Sequence, residues 1–205
     1  MDSSKYEERW ERYLAKTHEN VRQTLEKYIE SKNQIKLLDV STGSGKLHEY
    51  LAKSNLNLSE AAFNDPDKEM LSKGRKQVIR DALDCETTFY HEDVADLHKI
   101  QQEFDIIISQ NAYHLYLDKQ ASFETMKALT HNKSLLLVMD WNNKGWFKPV
   151  YQAIKLFDTK PLSAESHSQV KTRASHNQFR PISCKTWRWK WWKFFTIVLT
   201  PNHPD

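Results

Sequence analysis

Asp39, Asp65, Asp93 and Asp140 each stand at or just past the end of a short run of mainly apolar or β-branched residues. A carboxylate in such a place can accept the N–H or O–H groups of a polar ligand. Behind Asp39 comes Val40-Ser41-Thr42-Gly43-Ser44-Gly45-Lys46, a turn that holds two of the four glycines in the chain. Backbone N–H groups of such a turn, at the start of a helix, suit an anion. Two phosphate patterns fail here. A P-loop requires Gly at Val40 and a hydroxyl at Leu47, and a dinucleotide fingerprint requires Gly at His48. A second group with chemical potential is Gln110-Asn111-Ala112-Tyr113-His114. Histidine is the side chain whose ordinary pKa lies near neutrality, which makes His114 a candidate base, with the Tyr113 phenol beside it. His91 and His98 lie seven apart with no third ligand nearby, and Cys85 and Cys184 form no metal spacing, so no metal is expected.

The elements that must position these groups follow from periodicity. Ile35–Val40, Phe104–Ser109 and Ser134–Asp140 are short apolar runs without polar alternation, as in strands buried on both faces of a parallel sheet. Residues 61–65 and 87–94 are further strand candidates, and 191–199 closes the chain as another. Helical spacing runs through 46–54, 67–78 and 122–130. Strand and helix alternate from 35 to 140, which predicts βαβ units and an α/β doubly wound sheet. Before the sheet, residues 5–30 form one amphipathic helix. Its stripe of Tyr6, Trp10, Leu14, Val21, Leu25 and Ile29 is broken near Thr17 and His18. Residues 158–181, rich in Ser, His and Lys, are expected to be a loop or flap.

With 205 residues, 39% hydrophobic and 28% charged, the chain suits a single domain and is too apolar for disorder. No apolar run approaches the roughly 20 residues of a membrane span. No secretory signal is visible at the amino terminus. A cytoplasmic setting and no membrane partner are expected. The net charge of +3 does not call for nucleic acid.

Four segments, in order, resemble class I S-adenosylmethionine (SAM)-dependent methyltransferases. Leu37-Leu38-Asp39 with Gly43 and Gly45 is similar to the first motif, with Ser41 replacing its first glycine. Asp65-Pro66-Asp67-Lys68-Glu69-Met70-Leu71 is similar to the second. His91-Glu92-Asp93-Val94-Ala95-Asp96-Leu97 resembles the third, and Phe104-Asp105 with the following isoleucines resembles the fourth. The helix end and fifth strand match less closely: Thr130-His131-Asn132-Lys133 replaces the usual turn, where an Asn such as Asn132 can take a left-handed conformation.

The resemblance covers residues 35–140 and implies a mainly parallel seven-stranded sheet with an antiparallel C-terminal strand. It implies SAM as cofactor, with Asp39 for the ammonium and Asp65 for the ribose hydroxyls. Pro66 would lie against adenine, Asp93 would accept its amino group, and the Val94 N–H would reach a ring nitrogen. Ser41, Gly43, Gly45, Met70, Ser109 and Gln110 complete the cofactor set. A single methyltransferase domain is expected over 1–205, with an N-terminal lid (1–33), a SAM-binding core (34–140) and a substrate-side remainder (141–205).

Methyl transfer is an in-line displacement at a sulfonium-activated carbon, so alignment and exclusion of water matter most. A base is needed only if the acceptor arrives protonated. His114 and Tyr113 are the catalytic candidates, and Trp10, Tyr13, Asn111 and Trp141 the substrate-side ones. A small-molecule methyl acceptor is the first expectation. Gln110 to His114 lacks the Pro-Pro signature of amino-methylating DNA enzymes. RNA or protein methylation through Trp187-Arg188-Trp189-Lys190-Trp191-Trp192-Lys193, or silent SAM binding, are the alternatives. Simple alternation in a terminal hairpin, Trp inward and Arg or Lys outward, also explains that segment.

Overall fold

The structure, a computed structural model, describes residues 3–29, 34–81, 83–142, 165–189 and 192–202, with the backbone alone for 3–13 and 81. Helix α1 (Ser3–Tyr28) leads into β1 (Ile35–Asp39), α2 (Lys46–Leu51), β2 (Leu58–Asn64), α3 (Lys68–Asp81) and β3 (Glu86–Tyr90). A 3-10 segment, Val94–Lys99, then precedes β4 (Phe104–Gln110). A second, Tyr113–Leu115, precedes α4 (Lys119–Ala128) and β5 (Thr130–Trp141). The chain continues with α5 (His167–His176) and the pair β6 (Phe179–Trp189) and β7 (Trp192–Pro201).

The seven strands are ordered β3-β2-β1-β4-β5-β7-β6. Pairing is parallel from β3 through β5, and β7 enters antiparallel between β5 and β6. In the central register Asp39 lies level with Phe63 of β2 and Ile108 of β4. The order reverses between β1 and β4, and at such a switch point the loops splay apart and open a crevice at the carboxyl edge.

The alternating side chains of these strands serve two cores. Leu37, Ile106, Ile108, Leu137 and Met139 pack with Val21 and Leu25 of α1 and Leu47 and Leu51 of α2. Leu38, Ile107, Leu136 and Val138, on the opposite face, pack with Phe123 and Met126 of α4 and Val170 and Ala174 of α5. Apolar residues run unbroken through the middle of β1, β4 and β5 because both faces are covered there.

Three expectations need correction. Residues 167–176 of the expected flap are helical; Ser166 and Gln169 form a capping box at the start of α5. The strand expected over 87–94 ends at Tyr90, and Asp93 instead caps a 3-10 turn by accepting the Ala95 N–H at 3.0 Å. The turn expected at Thr130 to Lys133 is the irregular start of β5. Asn132 is not left-handed there: among described non-glycine residues only Asn111 and Gln178 have positive φ. The His131 N–H is satisfied by Ser134 Oγ at 2.9 Å, so extended backbone needs no left-handed residue. The part of that flap from 158 to 164 lies outside the described residues.

Candidate active site

The loop after β1 is shaped by its glycines. Gly43 and Gly45 have φ of 56° and 85°, a region in which a Cβ is strained. A Cβ on Gly45 would come within 2.8 Å of Gly74 Cα, and one on Gly74 within 2.9 Å of the Gly43 carbonyl. Helix α3 therefore rests directly on the loop through Gly74. A Cβ on Gly43 would meet no described atom within 4 Å, so this loop presents bare backbone to open space.

Asp39 is buried beneath that loop. It accepts the Ser41 N–H at 3.2 Å. Burial pushes its carboxyl up to about 7, against the lowering effect of the Ser41 N–H and with the nearby Asp65 raising it further. Thr42 Oγ1 lies 2.9 Å from His48 Nε2. Burial holds this imidazole neutral, with its pKa lowered to about 3.

Asp65, at the end of β2, accepts the N–H groups of Gly43 at 2.8 Å and Asp67 at 2.9 Å. One carboxylate thus joins the first and second loops. Buried Asn64 fastens the third, donating to the carbonyls of Val40 and Glu92 and accepting the Glu92 N–H. Pro66 is exposed and lines a shallow cleft with Asp67, Lys68, Glu69 and His91. Asp67 accepts the N–H groups of Glu69 and Met70, which places Met70 in the first turn of α3. Val94 is buried at the start of the 3-10 segment that Asp93 caps.

At the end of β4, Ser109 Oγ and Ser41 Oγ lie 2.8 and 3.1 Å from the buried Tyr116 hydroxyl. The Gln110 side chain turns to α1: its amide nitrogen lies 3.0 Å from Thr17 Oγ1 and 2.7 Å from His18 Nδ1. Asn111 takes a φ of 53° and donates to Thr17 Oγ1 at 2.9 Å. The break in the apolar stripe of α1 is thus where the helix bonds to the carboxyl edge of the sheet.

His114 Nδ1 lies 2.9 Å from Asp140 Oδ1, and the His114 N–H donates to Oδ2 of the same carboxylate at 2.7 Å. The imidazole stacks on Trp141, with centroids 5.0 Å apart and planes 9° from parallel. Tyr113, expected as a catalytic partner, is a core residue instead. Its hydroxyl donates to Glu165 at 2.8 Å and accepts from Arg173 at 3.0 Å. Burial first, then the Glu165 carboxylate, raises its pKa, so it is no proton acceptor. The side chains of Trp10 and Tyr13 lie outside the described residues.

The structure brings Asp39, Ser41, Gly43, Gly45, Asp65 and Ser109 to one edge of the sheet. The sequence reading missed Thr17, His18, Thr42, His48, Asn64, Gly74 and Tyr116. Two signals were present: polar residues interrupting the stripe of α1, and one of only four glycines set within a helical segment.

The sequence pattern of the methyltransferase-domain family matches residues 31–192, most of the chain. The chain belongs to this family, the class I SAM-dependent methyltransferases. SAM is its cofactor. The chain is 30% identical over 135 residues to a release factor glutamine methyltransferase of Flavobacterium psychrophilum. That match covers 66% of this chain and 45% of the relative, so the chain spans less than half of that protein's length. A SAM-dependent methyltransferase from Clostridium acetobutylicum superposes with a TM-score of 0.74 at 13% identity, over 98% of this chain and 99% of that one. Magnesium protoporphyrin IX methyltransferase from Synechocystis, solved with S-adenosylhomocysteine, gives 0.70 at 13% identity, over 91% and 84%. These two likenesses show the shared fold.

Proposed function

We propose that the chain transfers the methyl group of SAM to a small molecule held between the carboxyl edge of the sheet and α1. The observation that carries this reading is the closure of that edge. Gln110 and Asn111 of the β4 end hydrogen-bond to Thr17 and His18, so α1 roofs the acceptor side. A covered edge suits a small acceptor and keeps water from the reacting carbon.

SAM supplies a methyl group on a sulfonium that is already a good leaving group. This chain's residues bind and orient. Asp65 would accept the two ribose hydroxyls, and Asp39 the ammonium of the methionine part. The exposed backbone at Gly43 allows close approach. Pro66, Met70, Asp93 and Val94 would flank the adenine. Ser41 and Ser109, held by Tyr116, would line the methionine end. His114 would take a proton at Nε2 where the acceptor has one to lose, since its Nδ1–H is oriented by Asp140. Trp141 would form the wall beside it.

A second reading, a protein acceptor, draws support from the name of the Flavobacterium relative. Methyl-tritiated SAM incubated with the protein and a cell extract, followed by separation into metabolites, protein and RNA, tests both. Label in metabolites is the expected result. Label confined to protein or RNA would overturn the small-molecule reading.

A further inference from the structure

The roof over the β4 end contains two polar atoms that no described residue satisfies. Gln110 Oε1 and His18 Nε2 are both buried and without a hydrogen-bond partner. Their neighbours fix what each atom offers. Thr17 donates its hydroxyl proton to the Leu14 carbonyl at 2.8 Å, so its oxygen is an acceptor for the Gln110 and Asn111 amides. Gln110 therefore presents NH₂ toward Thr17 and His18, and its carbonyl oxygen is left over as an acceptor. Because the same NH₂ donates to His18 Nδ1, that nitrogen carries the lone pair and the ring proton sits on Nε2. The leftover atom of His18 is thus a donor. Burying two unmatched polar groups is costly, so a site that keeps them is expected to receive a partner.

We infer that His18 and Gln110 anchor the methyl acceptor through an uncharged group that both accepts and donates a hydrogen bond, a carboxamide or a hydroxyl. This rests on the proposed methyl transfer and adds a specificity rule to it. His18 Nε2–H takes the carbonyl or hydroxyl oxygen, and Gln110 Oε1 takes the N–H or O–H. A carboxylate offers nothing to Gln110 and sets two oxygen lone-pair groups against each other. An ammonium sets its protons against the His18 N–H. The imidazole does not adapt by gaining a proton, because burial lowers its pKa to about 4. Thr17 and Asn111 act as positioning residues, since they hold the Gln110 amide in the orientation that creates the pair.

Protein saturated with S-adenosylhomocysteine and labelled with ¹⁵N at histidine tests this by the ring nitrogen shifts of His18. The shifts should first report the Nε2–H tautomer. Acetamide or 2-propanol should then move the Nε2 resonance along a saturable curve, acetamide alone marking a carboxamide site and 2-propanol alone a hydroxyl site. Acetate, of the same shape as acetamide, should not move it. An Nδ1–H tautomer, no saturable shift with either neutral probe (the mark of a buried water only), or an equal response to acetate would overturn the inference while leaving methyl transfer intact. Calorimetry on His18→Phe, with its fold checked by circular dichroism, should leave S-adenosylhomocysteine affinity within about 3-fold. A loss above about 10-fold would assign the pair to the cofactor instead. Failure of the wild-type protein to bind S-adenosylhomocysteine would overturn both readings.

Discussion

Asp39 shows how one residue can link ligand binding to stability. Its carboxyl is held at about 7, well above the 3.8 of an exposed aspartate, first by burial. The ionised form is therefore penalised in the fold, on the order of 4 kcal/mol at full ionisation. The favourable contribution is complete below about pH 4 and is lost as pH rises through 7. Ligand-free stability in denaturant should fall between about pH 4 and 7, and Asp39→Asn should flatten that slope and raise the midpoint at pH 8. An ammonium brought to this carboxyl favours ionisation, so SAM binding near pH 6 should release a proton, read by calorimetry in buffers of different ionisation enthalpy. Zero proton exchange would separate Asp39 from the ammonium. His114→Ala should lower kcat about 100-fold for an acceptor that must lose a proton, with SAM affinity kept; loss of SAM affinity would place His114 on the cofactor side. The acids at the strand ends were legible because an apolar run followed by an acid and a glycine turn is a local pattern. Thr17, His18 and Tyr116 were not, because their partners at Gln110, Asn111 and Ser41 lie far along the chain.

Among the elements, α3 and α1 position the site most directly. Contact between α3 and the first loop depends on two glycines meeting without side chains. Gly74→Ala gains up to about 1 kcal/mol of helix propensity. It must also move the Gly43 carbonyl away from a Cβ at 2.9 Å, an overpacking cost of roughly 1–3 kcal/mol. The expected result is a lower denaturant midpoint and weaker SAM binding; a midpoint above wild type with unchanged binding would show that the loop yields freely. Helix α1 is tied by Thr17 and His18 to the β4 end, and by Asn20 to Thr196 of β7. Amide hydrogen exchange over residues 5–20 should slow when S-adenosylhomocysteine binds. Equal exchange with and without it would leave α1 as packing alone. Helix α1 was legible from its long stripe, whereas α5 was hidden. Its 10 residues bury Val170 and Ala174 but are otherwise polar, so the helix rests on its capping box and on packing against α4 and β6 rather than on a visible period.

For the molecule as a whole, the alternation from 35 to 140 was enough to predict a doubly wound sheet, because strands buried on both faces leave continuous apolar runs. The antiparallel C-terminal strand was expected only from the family resemblance, and the place of β7 between β5 and β6 was not legible, since an antiparallel insertion leaves no mark in strand composition. The Trp-rich end is explained by this placement. Trp187, Trp189 and Trp192 pack against the core beside Phe194, and Arg188 is exposed. Trp187 stacks on Phe194 at 4.5 Å, which covers one face of its ring. Asp65 joins the first and second loops at the carboxyl edge, its carboxylate bridging Gly43 and Asp67. Titration of SAM into wild-type protein and Asp65→Ala by calorimetry tests the central claim most directly. Micromolar binding is predicted for the wild type, weakened about 5- to 150-fold by the substitution, since two ribose hydroxyls lose their acceptor. Absence of SAM binding by the wild type, or equal affinity in the two proteins, would contradict it.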